Sequence, residues 1–180
     1  MPPSPIPHDF AVRARPVRLL LLDVDGVLTD GTIVVHASGD EAKTFSIRDG
    51  AAIVWAKRAG LEIGLISGRP SGATARRAAE LGLRIVSQAG PDKLQAFQAI
   101  IAAEGLRDRE VAYMGDDVLD LPILTRVGLA TAPADAAPEV RQRVHWVSSL
   151  GGGRGAVREV LELLLRVRGT WDTLLREHLS

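Results

Sequence analysis

The stretch LLLLDVDGVLTDG, Leu19–Gly31, decides how the rest of the chain is read. Four leucines lead into Asp23 and Asp25, with Val24 between them and Gly26 just after. An apolar run without polar breaks fits a strand buried on both faces. Side chains alternate along a strand, so Asp23 and Asp25 are expected to face the same way, roughly 6–7 Å apart. Two carboxylates so close repel one another unless a cation or a shared proton relieves them. Gly26 then lets the chain leave by a turn that a larger residue would block. A surface turn accounts for DxDG alone, but not for a core strand feeding directly into paired acids.

Outward from this stretch, apolar runs at Val17–Val24, Leu61–Ile66, Leu83–Val86, Val111–Met114, Val127–Ala130 and Val144–Val147 alternate with helix-length segments. Those segments are Ala51–Ala59, Ser71–Leu81, Pro91–Glu104 and Leu119–Arg126. The alternation predicts an α/β fold, a doubly wound, Rossmann-like parallel sheet with helices on both faces. The 20 residues Gly31–Gly50 break the pattern. Two strand-like runs surround a Ser-Gly-Asp turn signal, which reads as a small β-hairpin flap between the first strand and the first helix. That position lies at the carboxyl ends of the strands, where such sheets bind ligands. There is no room for a separate cap domain.

Composition narrows the function. Apolar residues make up 46% and charged residues 24%, a globular balance. Twenty-two basic and 22 acidic residues cancel, so neither nucleic acid nor a membrane surface is the default partner. Without cysteine there is no disulfide, thiolate metal site or Cys nucleophile. The proline-rich start, 1–16, reads as a flexible leader, 17–168 as the folded unit with its flap at 31–50, and 169–180 as a C-terminal tail. No apolar run approaches the roughly 20 residues of a membrane span, and a cytoplasmic protein is expected. The four histidines are scattered without ligand spacing, and Trp55, Trp146 and Trp171 read as packing residues.

DVDGVLTDG resembles the first motif of the haloacid dehalogenase superfamily of phosphohydrolases. Ser67 in LISGR, Lys93 in GPDK, and Asp116, Asp117 and Asp120 in GDDVLD follow in the family's order, each after an apolar run. The resemblance implies that Asp23 is a nucleophile forming an aspartyl-phosphate and Asp25 a general acid and base. It implies Mg²⁺ held by the Asp23 carboxylate, the Asp25 main-chain carbonyl and the Asp116 carboxylate. Ser67 and Lys93 would bind the transferring phosphoryl group, while Asp117 and Asp120 would orient the metal shell and Lys93.

The flap with FSIRDG, the GPDK segment and GGGRGAVREVLELLL together look like the capless, tetrameric 3-deoxy-D-manno-octulosonate 8-phosphate phosphatases of lipopolysaccharide biosynthesis. This resemblance spans about Arg18 to Arg168. It implies that Ser46, Ile47, Arg48, Asp49 and Gly50 line a sugar-acid pocket, and that Arg69 and Arg77 meet the substrate, guanidinium groups being suited to its carboxylate. The Gly-rich tail would carry Arg154 into a neighbour's active site. As structure alone, Gly151–Gly153 is a hinge before an amphipathic helix that buries Val160, Leu161, Leu164 and Leu165. Val54 stands where octulosonate enzymes often carry a basic residue and relatives acting on the nine-carbon nononate 9-phosphate an apolar one. A nine-carbon substrate, another small phosphate ester, and a noncatalytic oligomerisation module of the same fold therefore stay open.

Overall fold

All six apolar runs become strands of one sheet. The computed structural model describes residues 6–88, 90 and 92–179. Its strands are β1 (Leu19–Leu22), β2 (Val34–Val35), β3 (Glu41–Ala42), β4 (Glu62–Ile66), β5 (Ile85–Ser87), β6 (Val111–Met114), β7 (Leu129–Ala132) and β8 (Trp146–Val147). The main sheet has the order β5-β4-β1-β6-β7-β8, and every pairing in it is parallel. β2 and β3 form the separate antiparallel flap. Leu22 aligns with Leu65 on one side and Met114 on the other, so β1 sits between two neighbours and presents its end to a central crevice.

The helices are α1 (His8–Ala14), α2 (Ile47–Arg58), α3 (Gly72–Glu80), α4 (Lys93–Glu104), α5 (Leu121–Leu124), α6 (Pro138–Arg141), α7 (Ala156–Val167) and α8 (Trp171–Glu177). Alternation within β1 divides the core. Leu20 and Leu22 join residues of α1, α2, α7 and α8 on one face, whereas Leu19 and Leu21 join Phe97, Ile123 and Val140 from α4, α5 and α6 on the other. Leu19–Leu22 are completely buried. At about 1.5–3 kcal/mol for each such side chain, these four residues anchor the strand that ends in the acids.

Three expectations need correction. Residues 8–14, placed in a flexible leader, are helical: Phe10 is buried and packs edge-on to Trp146 at 5.7 Å. The tail likewise contains α8, whose Trp171 packs against Trp55 at 6.2 Å. The first long helix starts at Ile47 rather than Ala51, because Ser46 accepts a hydrogen bond from the Asp49 N–H at 3.2 Å and caps it. Residues 1–5 of the expected leader, Pro91 at the expected start of α4, and Ser180 lie outside the described residues. Among the described residues, no helix is long and apolar enough to cross a membrane.

Candidate active site

β1 stops at Leu22, one residue before the acids. The Asp23 N–H still donates to Met114 O at 3.0 Å, which extends the ladder by one step. The N–H groups of Leu28 and Thr29 then turn back to Val24 O at 2.9 and 3.1 Å, so Asp25 rides on a turn. The two acids are therefore not successive members of one strand face, as alternation suggested, yet both line one cavity. Gly26 has φ +89°, and a Cβ there would run into the Asp116 carboxylate, so only glycine lets the two loops approach.

That cavity, of about 350 Å³, is lined by Asp23, Asp25, Gly31, Gly68, Arg69, Lys93, Asp116, Asp117 and Leu119. It gathers the carboxyl ends of β1, β4 and β6 and the first residue of α4. Lys93 Nζ lies 2.9 Å from Asp23 Oδ2 and 2.8 Å from Asp120 Oδ1, with all three residues nearly or fully buried. The Tyr113 hydroxyl donates to Asp120 Oδ1 at 2.7 Å, and the N–H groups of Asp116 and Asp117 donate to Asp120 Oδ2 at 3.0 and 3.3 Å. Asp120 is thus saturated on both oxygens, and it fixes the ammonium against Asp23. Burial alone would lower the Lys93 pKa, but Asp23 and Asp120 outweigh it and hold the value above the usual range.

The acids show the opposite strain. Burial, the Asp120 charge and the weaker counter-pull of Lys93 leave the Asp23 carboxyl raised. Burial, then the charges of Asp23 and Asp120, push the Asp116 carboxyl up as well. Asp116 Oδ1 is buried without a hydrogen-bond partner. Oxygens of Asp23, Asp116 and Asp120 lie within 4.8 Å of one another, close enough to hold a metal ion. Because Asp120 has no oxygen to spare, the pair that fits a hard cation is Asp23 with Asp116, an all-oxygen donor set with one unpartnered oxygen.

Ser67 is buried at the end of β4, where its hydroxyl donates to Arg69 O at 3.1 Å, and Gly68 and Arg69 after it reach the cavity. Asp117 lines the cavity but spends its carboxylate accepting the Val118 N–H at 2.7 Å. The substrate-binding expectations fare differently. Of the eight residues expected there, only Arg69 lines this cavity within the chain. Ser46 caps α2, and its carbonyl accepts from Arg77 at 3.4 Å. Ile47 is exposed. Asp49 is buried and accepts from the N–H groups of Gly155 and Arg158 at 3.2 and 2.8 Å, which docks the start of α7. Gly50 packs beneath the Arg77 guanidinium.

Arg48 and Arg154 instead share a second cavity, of about 400 Å³, with Leu150, Gly155, Arg158, Glu159 and Glu162. It is of similar size, but it holds no buried carboxylate pair. Arg154 lies 3.4 Å from Asp30 of its own chain. Gly151–Gly153 is no open hinge: Gly153 N–H donates to Val27 O at 2.9 Å, and a Cβ on Gly152 would strike Gly26 O.

Two polar residues in direct contact with the acids escaped the sequence reading. Tyr113 is one, and an OH inside the apolar run VAYM was its signal. Lys43 is the other: its Nζ lies 2.6 and 2.9 Å from the two Asp25 oxygens. Nothing in EAKTF marks that lysine, because the pairing exists only once the flap has folded back.

A parallel sheet that gathers an acid pair, a buried lysine and a third acid at its strand ends has the groups that phosphoryl transfer needs. Residues 83–155 match the model of the haloacid dehalogenase-like hydrolases. The 3-deoxy-D-manno-octulosonate 8-phosphate phosphatase of Escherichia coli K12 is 42% identical over 169 residues, 94% of this chain and 90% of the relative. The crystal structure of that enzyme from Yersinia pestis superposes with a TM-score of 0.91 at 38% identity, covering 94% of this chain and 91% of the other. The Moraxella catarrhalis enzyme, crystallised with magnesium, phosphate and KDO, gives a TM-score of 0.92 at 32% identity over 94% and 98% of the two chains. The chain therefore belongs to the family of the 3-deoxy-D-manno-octulosonate 8-phosphate phosphatases within the haloacid dehalogenase-like hydrolases, and it is a phosphatase.

Proposed function

We propose that the protein is a Mg²⁺-dependent phosphomonoesterase that hydrolyses 3-deoxy-D-manno-octulosonate 8-phosphate through an aspartyl-phosphate. The observation that carries this reading is the buried Lys93 ammonium 2.9 Å from Asp23, beside the unpartnered Asp116 oxygen, in one cavity with Asp25. The E. coli and Y. pestis relatives carry that substrate in their names, and the M. catarrhalis structure holds the ion and the sugar acid.

In this reading the Asp23 and Asp116 carboxylates and the Asp25 carbonyl hold Mg²⁺, which when bound screens the repulsion between Asp23 and the phosphate oxygens. Asp23 attacks phosphorus, and the ester oxygen leaves with the proton of the Asp25 carboxyl. Asp25, now a carboxylate, takes a proton from water, whose oxygen attacks the phosphoryl group and frees Asp23. Lys93 and the Ser67–Arg69 loop neutralise the charge that gathers on the transferring group. Asp120 keeps Lys93 in place, and Asp117 shapes the loop carrying Asp116.

Arg69 receives the substrate carboxylate. The remaining contacts, from Ser46–Gly50, Arg77 and Arg154, are completed where copies meet in a cytoplasmic homotetramer, each chain contributing its 31–50 flap. The experiment is phosphate release with and without Mg²⁺, using the eight- and nine-carbon acid phosphates side by side. Magnesium-stimulated turnover with the eight-carbon ester the better substrate is expected. Preference for the nine-carbon ester would move the assignment to that branch, with Val54 as the sequence reason. Asp23→Asn should cut turnover by at least about 10⁴-fold, comparable to losing a nucleophile elsewhere, with the circular-dichroism spectrum intact. Full activity in that variant excludes the nucleophile assignment.

A further inference from the structure

The flap touches the catalytic cavity through two ionic contacts, and the reaction outlined above uses neither. Lys43 grips both oxygens of Asp25, and Glu41, two residues earlier, pairs through Oε2 with the Arg69 guanidinium. The Lys43 side chain is wholly enclosed, so the strand that carries Glu41 is tied down next to the crevice. Arg69 remains 44% exposed and lines the cavity, where an incoming anion can reach it.

A guanidinium offers one planar fork to a carboxylate. Glu41 uses that fork poorly. Only Oε2 engages Arg69. A ligand carboxylate that brings both oxygens to the fork makes the better pair.

We propose that Glu41 gates Arg69: this internal carboxylate occupies the guanidinium until a carboxylate-bearing phosphate ester displaces it, and so lowers the preference for such esters. The inference rests on the reading of Arg69 as the receptor for the substrate carboxylate. Esters without that group leave Glu41 on Arg69 and gain nothing from the guanidinium. Acid phosphates exchange one carboxylate for another, and the exchange raises their KM above what a free Arg69 would give.

The test compares kcat/KM for 3-deoxy-D-manno-octulosonate 8-phosphate with that for p-nitrophenyl phosphate, which has no carboxylate, in the wild type, Glu41→Gln and Arg69→Gln. Glu41→Gln should raise the preference for the acid about two- to five-fold, the range an exposed ion pair is worth, through a lower KM for the acid. Arg69→Gln should reduce that preference by about ten-fold or more. An unchanged or reduced preference in Glu41→Gln, with the preference lost in Arg69→Gln, overturns the gate and leaves the Arg69 reading standing. A parallel change for both substrates in Glu41→Gln reveals a tether of the flap only, and also overturns the gate. If Arg69→Gln keeps the wild-type preference, the carboxylate reading of Arg69 falls, and the gate falls with it.

Discussion

Two charged regions face each other across the cavity, and they are built on different physics. On the sheet side, Asp23, Lys93, Asp120 and Tyr113 are buried and tied to one another by contacts of 2.7–2.9 Å. On the flap side, strands of two residues expose Val34 and Val35 and hang on ion pairs from Glu41 and Lys43. A buried network of charges is rigid because each member would be left stranded if another moved. The partly solvated Glu41–Arg69 pair breaks at small cost, since water replaces either partner, and the enclosed Lys43 ammonium has only the partly exposed Asp25 to hold it. The contrast suits a site whose nucleophile must be fixed and whose cover must part for the substrate.

Asp120→Ala breaks this comparison on the rigid side. It leaves the Lys93 ammonium with Asp23 alone and strands the Tyr113 hydroxyl and two backbone N–H groups, so urea unfolding should show a loss of about 3–5 kcal/mol. A loss below about 1 kcal/mol would mean that the network carries little weight.

The next effect concerns pH. Burial and mutual repulsion hold the Asp23–Asp116 pair protonated above the ordinary carboxylate range, its protons leaving between about pH 6 and about 8. A cation has to displace those protons, so Mg²⁺ affinity should rise with pH across this window, by up to about ten-fold per unit for each proton released. The linkage also sets the sign for the metal-free fold. Its raised pKa values favour the folded state below the unfolded value near 4, and that contribution is lost as pH rises through the window. Calorimetric titration with Mg²⁺ at several pH values checks the first effect, and thermal melts without metal check the second. Affinity independent of pH would count against the paired-carboxylate site.

The smallest effect belongs to the flap. Glu41→Gln should change global stability by about 1 kcal/mol or less, yet speed amide exchange across the flap while β1 and β6 stay protected. Equal acceleration in the sheet would erase the distinction between the two regions.

How much of this was legible in the sequence follows the same division. The strands could be read because sheets buried on both faces demand unbroken apolar runs, and GDDVLD could be read because its acids directly follow one. α1 could not: only Phe10 and Ala14 of HDFAVRA are buried, and Trp146, far along the chain, creates their packing site. Lys43 and Glu41 were opaque for a related reason, since their partners lie 18 and 28 residues away and meet them only through the fold. Ser46–Gly50 was read for its chemistry, whereas within the chain the segment caps α2 and docks α7. Local motifs revealed the rigid half of the site; the movable half depended on contacts that no spacing encodes.

The central claim is that the Asp23 carboxylate itself takes up the phosphoryl group. Asp25→Asn, which lacks the base for the second step, should accumulate that species when mixed with Mg²⁺ and p-nitrophenyl phosphate, whose phenolate leaves without the proton that Asp25 gives in the first step. Acid quenching, proteolysis and mass spectrometry should then find one phosphoryl group on the peptide carrying Asp23, absent from Asp23→Asn. Single-turnover release of phosphate with that peptide unmodified at every time point would contradict the account.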